Sequence, residues 1–239
     1  VETILDQKTT GSILCMTFNE FGQIILSQEG AGLVLAYDSD RDGKLDKVRP
    51  YCDQVKNCQG LLCLNGDVFA VGEGPDGAAL YRLSDKDRNA SLESVTTLIK
   101  FKGPLGEHGA HGLSLGPDGL IYVMVGNHTA PDATIAESSP HRNFYEGDLV
   151  PRYEDPGGHA VGVKVPGGTV IRTDVQGSFV ETVCGGIRNA YDLCFNREGE
   201  LFTHDSDMEA DEGTTWYRPT RVMQLTAGGA VSYTHLRAH

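Results

Sequence analysis

The chain is predicted to be all-β, and within that class a β-propeller, on three observations. A strand–turn–strand pattern returns four times, at 16–29 (MTFNEFGQIILSQE), 61–74 (LLCLNGDVFAVGEG), 113–126 (LSLGPDGLIYVMVG) and 193–206 (LCFNREGELFTHDS). A second hairpin type interleaves with it. Glycine is abundant, 30 of 239 residues, as tight turns require.

The first hairpin of each unit places Asn, Asp, Pro and Gly between apolar runs, the residues that supply positive or preset φ in a tight turn. Its flanks alternate or run apolar over strand lengths, and the longest apolar stretches, such as LIYVMV at 120–125, are no longer than a strand. The second type comprises LVLAYDSDRDGKLDKVRPY (33–51), ALYRLSDKDRNASLESVTTLI (79–99) and TVIRTDVQGSFVETV (169–183), with another beginning at TRVMQL (220–225). Two hairpins make a four-stranded sheet, and a unit recurring at roughly 45–50 residues has the period of a propeller blade. The sequence thus predicts about four consecutive four-stranded blades of a larger, six-bladed ring. A β-sandwich suits the strand count but leaves the repetition unexplained.

Residues 1–230 are assigned to one partial propeller domain. The last nine residues, VSYTHLRAH (231–239), match a translated sequencing adapter and are set apart as an artefactual tail. The start, Val1-Glu2-Thr3, shows neither an initiator Met nor a signal peptide, so the text is expected to begin inside a longer protein.

A formal net charge of −13 argues against nucleic acid or an anionic membrane as partner, since either needs a basic surface. Metal cations and polar small molecules fit better. No apolar run reaches the roughly 18–20 residues of a membrane helix. The six cysteines lack CxxC spacing for zinc and CxxCH spacing for haem. Cys15, Cys63 and Cys194 read as buried thiols, whereas Cys52 and Cys58 flank a short loop that a disulfide can close.

The chemistry concentrates on strand ends. Arg188 and Asn189 precede the strand at 193–195, and a carboxylate cluster of Asp205, Asp207, Glu209, Asp211 and Glu212 follows the strand at 200–202. His108 and His111, three apart among Gly106, Gly109 and Gly112, precede the third repeat, and Asn127 and His128 follow its hairpin partner. Both ends of such a hairpin can reach one rim of a propeller, which brings His108, Asn127 and Arg188 toward one mouth; ordinary loop histidines are the other reading. In the turn DSDRDGKLD, 38–46, Asp38, Asp40 and Asp42 alternate ahead of Gly43, like the first half of a calcium loop. Arg49 stands where the bidentate Glu belongs, so a solvated acidic turn stays open as an alternative. DKDRNASLE, 85–93, repeats the arrangement without the glycine. The long segment at 141–162, with Arg142, Arg152 and His159, offers basic groups on an acidic protein, suited to an anion or a carbohydrate.

Three stretches, EHGAHGLSLGPDGLIYVMVGNHT, LVPRYEDPGGHAVGVKVPGGTVIRTD and GGIRNAYDLCFNREGELFTHDSDMEADEGTTWYRPTRV, resemble the glucose/sorbosone dehydrogenase, or soluble quinoprotein, type of β-propeller. They resemble more closely the PVC-type membrane-bound dehydrogenases that fuse such a propeller to a c-type haem domain. The resemblance extends over about residues 14–229. It implies pyrroloquinoline quinone (PQQ) and Ca2+ on the upper face. By the same resemblance His108 matches the general base that removes the substrate hydroxyl proton, and Arg188 matches the arginine that stabilises charge on the reduced quinone. Asn189, Asn127, Arg152 and His159 are the further candidate cofactor contacts. Asp205 and Asp207 fall near the family's calcium positions, and Asp38, Asp40 and Asp42 form a second candidate metal set. The sequence departs from the family pattern at Asn127, where an acid is usual, and at Ala190 and Asp192, which replace a proline and a glycine.

The implied function is a PQQ-dependent sugar or alcohol dehydrogenase module with a sugar or polyol substrate. A c-type haem domain is expected downstream in the full-length protein, and the location is expected to be periplasmic or otherwise extracytoplasmic. Two further readings stand beside it: a non-catalytic carbohydrate- or protein-binding propeller, and a Ca2+-dependent lactonase-like hydrolase.

Overall fold

The structure, a computed structural model, describes residues 4–142, 167–205 and 220–230. Apart from a single-turn helix α1 (Gln7–Thr10), whose first turn is capped by Asp6 accepting the Thr9 N–H at 3.0 Å, the described residues are strands and their connections. No helix among them is long and apolar enough to cross a membrane. The chain divides into two compact units, residues 1–100 and 101–239.

The first unit holds two sheets. One is formed by β1 (Ile13–Phe18), β2 (Ile24–Gln28), β3 (Leu33–Tyr37) and β4 (Lys47–Cys52), hydrogen-bonded in chain order. The other contains β5 (Lys56–Leu64), β6 (Asp67–Gly74), β7 (Gly77–Ser84) and β8 (Ser94–Lys102), again in chain order and antiparallel throughout. The β5–β6 turn is Asn65-Gly66, with φ of 53° and 83°, the double left-handed conformation that a two-residue hairpin demands and that Asn-Gly tolerates best. The core of this unit joins Ile25, Leu33 and Leu35 to Val68, Ala70, Tyr81 and Leu83. Burying each large apolar side chain contributes about 1.5–3 kcal/mol. Tyr81, fully buried, donates its hydroxyl to the Gly77 carbonyl at 2.7 Å and accepts from the Asp76 N–H at 3.1 Å, so the phenol leaves no polar atom stranded.

In the second unit, β9 (Ala110–Leu115), β10 (Ile121–Val125), β12 (Gly168–Thr173) and β13 (Glu181–Ile187) form a sheet in the order β13-β12-β10-β9. Between β10 and β12 in sequence, the short β11 (Ala130–Pro131) pairs with Lys102 and Phe101. The last sheet is β14 (Leu193–Phe195), β15 (Leu201–Asp205) and β16 (Arg221–Gln224), in chain order. β10 is buried along its whole length, and its even-numbered members Tyr122 and Met124 share a core with Val170, Val183, Leu193 and Leu201. Every hairpin predicted from the repeat is present, as is the first strand of the one left open at 220–225. Each sheet is an antiparallel meander of the blade type.

All six cysteines are free, so the bridge considered for Cys52 and Cys58 does not form. Cys58 and Cys184 are fully buried, and burial pushes the Cys184 thiol up to about 12, as expected of structural rather than reactive sulfur. Cys194 is exposed, not buried as its apolar neighbours suggest, because the short β14 turns alternate residues outward.

Candidate functional site

Within the second unit, four backbone segments meet: the loop ahead of β9, the end of β10, the β13–β14 connection and the end of β15. Glycine permits the approach. A Cβ on Gly126 would sit 2.4 Å from the His108 carbonyl oxygen, and one on Gly112 would sit 2.5 Å from Asp192 Oδ1 and 2.8 Å from the Tyr191 carbonyl oxygen. Hydrogen bonds occupy these contacts: Gly126 N–H to Gly109 O at 2.6 Å, His128 N–H to His108 O at 3.2 Å and Gly112 N–H to Tyr191 O at 2.8 Å.

The structure brings His108, Asn127, Arg188, Asn189 and Asp205 into one connected network. His108 Nδ1 lies 2.6 Å from Asn127 Oδ1. The Asn127 N–H donates to the Arg188 carbonyl at 3.0 Å. Asp205 then accepts two consecutive amides, Arg188 N–H on Oδ2 at 2.8 Å and Asn189 N–H on Oδ1 at 2.9 Å. The carboxylate expected beside a cation therefore secures the Arg188-Asn189 turn. Because charge-assisted bonds to backbone amides are strong and directional, this buried aspartate, 5% exposed, is a structural anchor of the site.

His108 is only 3% exposed. With Asn127 Oδ1 accepting from Nδ1–H, the basic lone pair of the neutral ring falls on Nε2. Its ring stacks on His128, centroids 4.3 Å apart and planes 18° from parallel. Asn189 Oδ1 is buried and finds no hydrogen-bond partner among the described residues, an amide oxygen of the class that takes a hard cation or a donor.

Sequence reasoning singled out His111 beside His108 but not the partners it takes. His111, wholly buried, turns one ring nitrogen to the Gly106 carbonyl (3.2 Å) and the other to the Ala190 carbonyl (3.3 Å), and stacks on Tyr191 with centroids 4.3 Å apart. Burial pulls its pKa below the usual histidine value, against the two carbonyls. It links the loop that carries His108 to the turn that carries Arg188. Its position three residues from His108 was visible, but its partner at 190 is distant in sequence.

Asp38, Asp40 and Asp42 lie in the first unit, with carboxylate oxygens within 4.8 Å of one another, as do Asp85, Asp87 and Glu93. Asp38 accepts the Arg41 and Gly43 N–H groups at 2.6 and 2.7 Å, and Asp42 accepts that of Lys44 at 2.8 Å. Asp85 accepts Asn89 and Ala90 in the same manner. Each triad thus closes its own turn. Arg152, His159 and Asp207 lie outside the described residues, as does the 231–239 tail.

A family model described as "Domain of unknown function (DUF7133)" matches residues 26–226. The chain belongs to this family. No curated protein matches the chain. Among solved structures it is similar to the holo form of the pyranose dehydrogenase PQQ domain from Coprinopsis cinerea, at 12% identity and TM-score 0.60, covering 91% of this chain and 52% of that one. A calcium structure of a Trichoderma reesei carbohydrate-active enzyme of family AA12 aligns at 10% identity and TM-score 0.60, over 92% and 55% of the two chains. The PQQ-bound aldose sugar dehydrogenase from Streptomyces coelicolor aligns at 15% identity and TM-score 0.53, over 91% and 63%. The chain spans about half the length of the first of these structures. At such identities the likeness concerns the fold: this DUF7133 chain is a β-propeller of four blade-type sheets.

Proposed function

We propose that this DUF7133 propeller is the sugar- or polyol-oxidising module of a PQQ-dependent dehydrogenase, with His108 as general base and the Arg188-Asn189 turn at the cofactor. The observation that carries the reading is the 2.6 Å contact of His108 Nδ1 with Asn127 Oδ1, in a segment bonded directly to Arg188. An alcohol is a poor hydride donor until its proton is withdrawn, and a neutral imidazole with its lone pair on Nε2 can accept that proton.

The residues present fit the group. The guanidinium of Arg188 suits paired quinone oxygens, and the buried Asn189 Oδ1, with no partner among the described residues, suits Ca2+ or a polar edge of the cofactor. Arg152, His159 and Asp207 complete the proposed cofactor and metal set, and Asp38, Asp40 and Asp42 are proposed to hold a second Ca2+ through oxygens alone. The chemistry supplied by bound PQQ with Ca2+ is acceptance of the hydride equivalent. The chain's own part is to orient the base, hold the turn with Asp205 and take the hydroxyl proton at His108 Nε2. The sequence resemblance supports electron transfer onward to a c-type haem domain of a longer protein, in the periplasm or another extracytoplasmic space.

The test is dye reduction by the protein supplied with PQQ and CaCl2 across a panel of aldoses and polyols. Sugar-dependent turnover, lowered by about two orders of magnitude or more in His108→Gln, is expected. Absence of turnover across the panel would sink the reading. A second reading, a non-catalytic carbohydrate- or protein-binding propeller, draws on the 3% exposure of His108; in that case His108→Gln leaves binding almost unchanged.

A further inference from the structure

Asn65-Gly66, the two-residue turn between β5 and β6, is the one place in the chain where a glycine follows an asparagine. That dipeptide is chemically labile as well as turn-forming. With no side chain on the second residue, its backbone nitrogen can reach the asparagine Cγ, and both residues are exposed to the water that the chemistry consumes. A Cβ at Gly66 would meet nothing within 4 Å, so no neighbour crowds the approach.

The attacking nitrogen is already engaged. Glu20 Oε1 accepts the Gly66 N–H at 2.7 Å. The β1–β2 turn presents Glu20, and Asn19 holds that turn closed: its Oδ1 accepts the Phe21 and Gln23 N–H groups at 3.0 and 2.9 Å, and its Nδ2 donates to Gln23 Oε1 at 2.8 Å. On the far side the hairpin is fixed by the pairing of Leu64 with Asp67, whose carboxylate accepts from Arg82 Nε at 2.6 Å. A backbone nitrogen becomes a nucleophile only by losing its proton. A carboxylate on that N–H withholds the proton from base, and its negative charge opposes an anion forming beside it.

We propose that Asn65 is a site of spontaneous deamidation and that Glu20 is the side chain that restrains it. A bond forms between Gly66 N and Asn65 Cγ, the Cγ–Nδ2 bond breaks, and ammonia departs with the amide proton, leaving a five-membered imide. Water then opens the imide to aspartate or, at the other carbonyl, to isoaspartate, and nothing is oxidised or reduced. Either product adds a carboxylate next to the residue that Glu20 holds. Isoaspartate also lengthens by one backbone carbon a turn whose two residues hold φ of 53° and 83°.

Peptide mapping by mass spectrometry of the full chain, aged in warm, mildly alkaline buffer, tests it, with Asn65→Asp as the aspartate standard. The parent is expected to convert Asn65 more slowly than a free peptide of residues 64–67. Glu20→Ala should convert it about tenfold faster than the parent, and Glu20→Gln, which keeps an acceptor oxygen without the charge, about threefold faster. Arg82→Gln loosens the same hairpin from its far side while leaving Glu20 in place, and should stay within about twofold of the parent. Far-UV circular dichroism verifies folding of each variant. Equal rates in the parent and Glu20→Ala overturn the restraint, as does a parent as fast as the free peptide, or an acceleration in Arg82→Gln equal to that in Glu20→Ala. Absence of conversion at Asn65 in a folded Glu20→Ala chain overturns the site itself.

Discussion

His108 Nδ1 and Asn127 Oδ1 lie 2.6 Å apart, a contact that assigns the ring proton to Nδ1 and the basic lone pair to Nε2. Ring 15N spectra of histidine-labelled protein should show the Nδ1–H tautomer at His108. Asn127→Leu should convert it to a mixture and, in the proposed enzyme, lower kcat about 10- to 100-fold with KM little changed.

Asp205 carries the turn beneath Arg188 and Asn189 through two amide bonds. Asp205→Ala strands both N–H groups in a buried setting, at a cost of about 3 kcal/mol. Urea denaturation is the measurement. Asp205→Asn, which keeps one acceptor oxygen, should cost about half as much.

Arg172 and Glu181 are bonded across β12 and β13 at 2.6 Å, and Arg172 also reaches Asp118 at 3.1 Å. Burial alone would raise the Glu181 carboxyl, but hydrogen bonds from Ser138 and Arg172 together with the Arg172 charge hold it below the ordinary value. A carboxyl depressed in the folded state stabilises the fold above its unfolded pKa, near 4.5, and that contribution disappears as pH falls through the folded pKa. Glu181→Gln should therefore cost about 2 kcal/mol at pH 7 and progressively less below pH 4.5, a convergence that thermal melts at several pH values would reveal.

His111 behaves alike in sign. Desolvation lowers its pKa beneath 6.5 despite the two carbonyls, so the native state resists a proton that the unfolded chain accepts. Stability should decline as pH drops below 6.5 and level off once the folded pKa is passed. His111→Phe, which keeps the ring against Tyr191, should flatten that slope in the same melts.

Gly126→Ala would drive a methyl group into the His108 carbonyl, 2.4 Å away. Backbone must shift to admit it, at about 1–3 kcal/mol. The variant should unfold at lower urea and lose the His108 tautomer signature together, since Asn127, whose Oδ1 meets the ring, directly follows Gly126 in the chain.

The blades were legible because a hairpin writes itself locally: Asn65-Gly66 sits between apolar runs, and every predicted hairpin was found. His108, Asn127 and Arg188 were legible as strand-end polar residues that a propeller rim can gather. The role of Asp205 was not, because its chemistry as an isolated carboxylate suits a cation as well as an amide pair. His111 was legible beside His108, but its stacking on Tyr191 was not, because the two lie 80 positions apart in the chain and 4.3 Å apart in space.

The sequence by itself determined the strands, the turns and the repeat, since each depends on φ preference and alternation within a few residues. Only the tertiary structure decided which nitrogen of His108 faces Asn127, which acid anchors the Arg188-Asn189 turn and which ring stacks on His111. Those outcomes depend on backbones brought within hydrogen-bond reach at Gly112 and Gly126, a distance that no local pattern encodes.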